Sequence, residues 1–189
     1  MGLISNGTTI FDNGAMASGF GGDLIFISKA TASASASIEF TSGIDSTYKE
    51  YVFYFVNIHP ANDGVSFQFN MSTDGGSTYA VTKTTTVFTA FHDEADSNSG
   101  LTYRTGEDLA QSTAFQLLAD NMGNGADENL GGYLQIFNPS STTFVKHFIS
   151  RTSGYNAGYG NTTSAINAVK FQFASGNIDA GEILLFGIN

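Results

Sequence analysis

Cysteine and tryptophan are absent from this chain, proline occurs only twice, and basic residues number 7 against 17 acidic ones. Without thiols there is no disulfide framework, no cysteine-ligated zinc site, no thiol nucleophile and no redox switch. A chain of 189 residues can bury a sufficient core without such staples. The formal charge of -10 argues against nucleic acid as a partner, because affinity for a phosphate backbone rests on clustered Lys and Arg that displace counterions. The same scarcity of cations argues against an anionic membrane surface. No apolar run approaches the roughly 20 residues of a membrane-spanning helix, so membrane insertion is not expected. The opening "MGLISNGTTIFDNGAMASG" has neither the basic start nor the apolar stretch of a secretory signal, which predicts synthesis in a host cytoplasm without export through the general secretory route.

What remains is a chain of aromatic and β-branched residues set among Ser, Thr, Asn and Gly. Strand-like runs are expected over 24–28, 37–40, 50–59, 65–72, 78–91, 133–138, 144–151, 168–174 and 182–187. Turn clusters such as "PANDG", "STDGGS" and "NPSS" separate them. In 65–72, Val65, Phe67, Phe69 and Met71 alternate with Ser66, Gln68, Asn70 and Ser72, the pattern of a half-buried strand with the second set on the polar face. In 50–59 both faces are apolar, which predicts a central strand covered from two sides. Many short strands with polar turns predict an all-β sandwich or barrel. The nearest helical candidate is 112–122, "STAFQLLADNM". Residues 1–22 are Gly- and Asn-rich and are expected to form an extended arm for attachment or oligomerisation, ahead of one domain over 23–189.

Five constellations carry chemistry worth weighing. "STDGGSTY" has the form of an Asp-box, in which Asp74 binds amides of its own turn and Gly75 and Gly76 supply positive φ; this is a structural turn and not a catalytic device. "FHDEADSNSG" offers oxygen ligands that could hold Ca2+ near Asp93 and Asp96, but it lacks the spacing of a calcium loop, so a solvated acidic loop is the expected state and no metal or cofactor is assigned. "NGADEN", at 124–129, reads the same way. The histidines His59, His92 and His147 are scattered without a catalytic motif, and no enzymatic activity is expected. The segment 153–165, "SGYNAGYGNTTSA", reads as a binding loop in which Tyr155 and Tyr159 could stack on a sugar while Asn156 and Asn161 bond its hydroxyls. An ordinary Gly-rich loop, or one buried against a partner subunit, fits the same residues.

A "TSGID-x-x-Y-x-x-Y" opening at Thr41, Ser42, Gly43, Ile44, Asp45, Tyr48 and Tyr51, the turn Asp74, Gly75 and Gly76, and a closing "GEILLFGI" over 181–188 together resemble small virion proteins of tailed marine phages. The resemblance covers most of the chain after Ser37. It implies an antiparallel β-sandwich of jelly-roll type in a structural, fibre-like component of the virion surface, with no catalytic residues to transfer. The expected role is a tail fibre or receptor-binding protein. The expected partners are further copies of itself, most plausibly in a homotrimer, other virion proteins through the arm, and a host surface glycan. The rival roles are a capsid decoration protein and, more remotely, a free carbohydrate-binding module.

Overall fold

The structure, a computed structural model, describes residues 24–188 in full and, of the preceding segment, the backbone of three short strands. Those are β1 (Leu3–Ser5), β2 (Thr8–Asp12) and β3 (Ala15–Met16), which pair antiparallel with one another in that order. The arm expected over 1–22 otherwise lies outside the described residues.

There follow β4 (Leu24–Thr31), β5 (Ile38–Phe40), β6 (Glu50–Pro60), β7 (Val65–Ser72), β8 (Lys83–His92), β9 (Ser99–Tyr103), β10 (Gln116–Met122), β11 (Leu130–Phe137), β12 (Lys146–Arg151), β13 (Tyr155–Gly160), β14 (Ala168–Phe173) and β15 (Ile178–Ile188). Among the described residues there is no helix. The strands form two antiparallel sheets, one ordered β10-β7-β14-β5 and the other β4-β15-β6-β11-β12-β13-β8-β9.

Period-2 alternation builds the core between them. Val65, Phe67, Phe69 and Met71 of β7 face it beside Val169, Phe171 and Phe173 of β14, and opposite stand Tyr51, Phe53 and Phe55 of β6 and Ile183 and Leu185 of β15. Aromatic edges meet aromatic faces there: Phe53 and Phe171 lie 5.2 Å apart, Phe55 and Phe67 5.3 Å, and Phe69 and Phe148 5.1 Å. Each such ring adds about 0.5 to 1.5 kcal/mol beyond its area burial. One end of the core is closed by local hydrogen bonding. The Tyr51 hydroxyl donates to the Asp45 backbone carbonyl at 3.1 Å and receives the Asp45 amide at 3.0 Å, while the Asp45 carboxylate accepts the Thr47 amide at 2.8 Å. Tyr51 pairs across the sheet with Gly187, over whose Cα the Tyr48 ring packs.

Four expectations are corrected. The stretch 112–122 is not helical; Gln116–Met122 is strand β10, whose register against β7 shifts twice, and the shifts break the alternation that would have marked it. The stretch 153–165 is not a loop throughout, since Tyr155–Gly160 is strand β13, paired on both sides by β12 and β8. Strand β6 is covered from two sides only in part, because on its outer face Val52 is buried but Tyr54 and Val56 are exposed. Asn70 and Ser72, expected on a polar face, are fully buried. The 73–82 connection folds back over them, and the Asn70 amide nitrogen donates to the carbonyls of Tyr79 at 2.8 Å and Thr113 at 3.0 Å.

Candidate ligand-binding face

The outer face of the eight-stranded sheet concentrates exposed aromatic side chains. Cross-strand pairing sets Leu184, Tyr54, Tyr133, Arg151, Tyr155, Phe88 and Tyr103 in one continuous row over β15, β6, β11, β12, β13, β8 and β9. Strand neighbours stand about 4.8 Å apart, so every member of such a row can touch the next. The contacts are specific. Tyr155 stacks on Phe88 with ring centroids 4.8 Å apart and planes within 6°. The Arg151 guanidinium carbon lies 4.3 Å from the centroid of the Tyr155 ring. At the far end the Tyr103 hydroxyl donates to Asp108 at 2.6 Å, a bond that raises the phenol pKa.

Beside this row, the same face dips. Ala157 places only a methyl group between Tyr155 and Tyr159, and a trough of about 330 Å³ opens there, with Thr84, Thr86, His147, Ile149 and Tyr159 around it. Tyr155 and Tyr159 lie four residues apart on one strand face, so roughly 13 Å separates them. His147, paired with Tyr159 across β12 and β13, holds its ring 5.9 Å from the tyrosine ring. Tyr159 walls the trough together with threonine hydroxyls and the His147 imidazole, while Tyr155 stands on the same strand face just outside it, a surface whose chemistry suits a sugar chain lying along β13.

The four sequence-nominated ligand residues therefore separate. Tyr155 and Tyr159 share the outer face. Asn156 points into the sandwich, buried, where its side-chain oxygen accepts a bond from the Gln116 amide at 3.2 Å. Asn161 follows the strand and donates to Gln111 at 2.8 Å. Asp74 lies outside the trough, in its own turn after β7. It accepts the Ser72 hydroxyl at 2.6 Å and the Thr78 amide at 2.9 Å, bonds that lower its carboxyl pKa, and Gly75 and Gly76 have φ of 75° and 93°. Asp93 accepts both the Ser97 amide at 2.7 Å and the Ser97 hydroxyl at 2.6 Å, while Asp96 meets His92 at 2.9 Å. Among the described residues no cluster of three or more His, Cys, Asp or Glu side chains could hold a metal ion.

Sequence reasoning missed the polar interior beneath the trough. Lys83 and Lys146 are fully buried, and both pair with Gly160, from either side. Lys83 donates to the Asn70 side-chain oxygen at 2.6 Å and to the Val81 carbonyl at 2.8 Å. Lys146 donates to the carbonyls of Phe144 at 2.8 Å and Thr162 at 3.1 Å. Burial without a carboxylate partner brings the Lys83 pKa down to about 7 and lowers that of Lys146. The available signal was phase. Lys83, Thr85 and Val87 alternate with Thr84, Thr86 and Phe88, and Val87 marks the lysine's side as the buried one.

Comparison with protein-family models and with curated proteins gives no match to this chain.

Proposed function

We propose that this chain is an exposed structural protein of a phage virion, a tail-fibre or receptor-binding component that meets a host-surface glycan through the outer face of its large sheet. The observation that carries this reading is the trough on β13, with Tyr155 and Tyr159 on one exposed face and a small residue between them. Tyr supplies rigid contact area for an apolar sugar face, and Thr and His supply hydrogen bonds at its edges.

The strand order supports the jelly-roll reading. Take β4, β5, β6, β7, β10, β11, β14 and β15 as strands one to eight. The first, eighth, third and sixth then lie side by side in one sheet, and the second, seventh, fourth and fifth in the other. Two interleaved Greek keys produce that order. Strands β8 and β9 are inserted between the fourth and fifth, and β12 and β13 between the sixth and seventh. Both insertions extend the same sheet beyond β11, so the trough sits on additions to a common frame, where function is commonly grafted. The residues behind the resemblance to phage virion proteins also cohere, because Asp45, Tyr48, Tyr51 and Gly187 meet at one end of the core.

A specific observation favours the second reading, capsid decoration. Phe26, Phe186, Leu184, Tyr54 and Val56 make the β4-β15-β6 half of the outer face apolar, as a surface clamped against neighbouring shell subunits would be. The test is the double variant Tyr155→Ala with Tyr159→Ala. A receptor-binding role predicts that adsorption to host cells falls far more than thermal stability does. Unchanged adsorption with earlier genome release on heating would move the protein to the capsid.

A further inference from the structure

We propose that the ligand of this face is an acidic polysaccharide, its carboxylate or sulfate groups held by Arg151; this rests on the glycan-binding reading above and specifies the class of sugar. The chain carries 17 acidic and 7 basic residues, so any exposed cation has many prospective partners. Lys29 is paired with Glu182, Lys170 with Glu39, and Arg104 with both Glu107 and Asp120. Lys83 and Lys146 are buried. Lys49 precedes β6 and is exposed. Arg151 stands on the exposed aromatic row with no carboxylate in ion-pair range among the described residues.

Its orientation is set in advance. The guanidinium lies flat against Tyr155 at 4.3 Å, Phe88 backs that ring, Tyr133 is the directly opposite residue on β11, and one N–H is donated to the Thr152 carbonyl. A guanidinium has five N–H donors in a rigid fork, so an edge remains for bidentate contact with a planar carboxylate or a sulfate. Fixing the side chain before binding removes part of its ordering cost. The trough beside it is lined by no carboxylate, and His147, about 13 Å from Arg151 along β12, presents a second nitrogen donor on the same face. The remaining surface of a chain with charge -10 repels an acidic polymer, which confines such a ligand to this face.

The experiment measures binding of the intact protein to polygalacturonate and to the same polymer fully methyl-esterified, and to a sulfated galactan against unsulfated agarose. At least one acidic polymer should bind about tenfold or more tightly than its neutral counterpart, with affinity falling as salt rises. Arg151→Gln should abolish that preference, Arg151→Lys should restore it only in part, and thermal melting of each variant should separate binding from folding. Equal binding of the charged and neutral forms, unaffected by Arg151→Gln, would overturn the acidic assignment and leave the glycan reading standing. Absence of binding to all four polymers, with adsorption unaltered by loss of Tyr155 and Tyr159, would overturn both. A change in sedimentation coefficient on Arg151→Gln without any polymer binding would assign the face to a second copy of the chain and defeat the proposal.

Discussion

Single positions on one strand divide between those that carry stability and those that do not. Phe67 is fully buried against Phe55, Phe171 and Phe173, whereas its neighbour Gln68 points the other way and is only half-buried. Phe67→Ala should cost about 3 to 5 kcal/mol, and Gln68→Ala about 0.5 kcal/mol or less, by urea denaturation. Equal losses would mean that the strand is out of phase. Lys83 makes a different prediction. Its folded pKa of about 7 lies below the ordinary lysine value of 10.5, so between those values the unfolded chain holds a proton that the folded chain has released. Stability must then rise with pH across that window, at a slope of up to about 1.4 kcal/mol per pH unit. The Tyr79 phenol, pushed up to about 12 by burial and by Glu39, acts in the opposite direction only above its ordinary value near 10. Denaturation at pH 7 to 9.5 should therefore show a steeper rise in the parent than in Lys83→Met, which keeps only the contribution of the lowered Lys146 pKa. Parallel profiles would show that the ammonium is solvated in the folded state.

At the scale of the element, irregularities decide which face each strand presents. Where β6 meets β15 the register shifts, with Asn57 at φ 51° and Gly181 at φ 115°. A Cβ on Gly181 would stand 2.5 Å from the Asn57 carbonyl oxygen, whereas one on Gly75, at φ 75°, would meet nothing within 4 Å. Gly181→Ala should thus cost about 2 kcal/mol or more, from strain plus the clash, and Gly75→Ala about 1 kcal/mol from strain alone. The reverse ranking in denaturant titrations would deny the bulge. Without the shift, Ile58 could not return to the core face after Val56 and Asn57 point outward. Strand β13 shows the converse case. Its glycines suggested a loop, yet a Cβ at Gly158 would press on Thr85, the Thr84 carbonyl and Phe148. The glycine serves close packing between β13 and its neighbours.

For the whole molecule, the outer face of the large sheet poses the question of assembly. Its β4-β15-β6 half is apolar, with Phe26 56% and Val56 42% exposed. We expect subunits to meet there in a homo-oligomer, a trimer in the fibre reading, leaving β12, β13 and β8 to the ligand. Phe26→Asp with Phe186→Asp should then lower the mass seen in sedimentation to that of the monomer without unfolding the sandwich. An unchanged mass would place the contact elsewhere. Deleting residues 1–22 should leave the sandwich folded and prevent attachment to particles. Full occupancy on virions after the deletion would remove the arm from that role.

Sequence alone determined the all-β class and most of the strands, because an alternation such as that of Val65, Phe67, Phe69 and Met71 is a local consequence of the pleat and needs no partner to be read. It determined the turn at Asp74, Gly75 and Gly76 for the same reason, since the bonds made by the Ser72 and Asp74 side chains close within seven residues, Ser72 to Thr78. Tertiary structure decided what lies far apart in the chain. It hid the polar residues Asn70 and Lys83, which bond each other across 13 positions, and left the aromatic Tyr54 exposed on the same face of β6 on which it buried Val52. It turned Asn156 inward and Tyr155 outward by making 155–160 a strand. It also set Arg151 beside Tyr155 and Phe88, a neighbour 67 positions from that tyrosine in sequence. Hydrophobic alternation specifies how a strand lies on a core, but the order of strands in a sheet is settled by loop closure and by packing between the two sheets, and that order is what assembles the aromatic outer face.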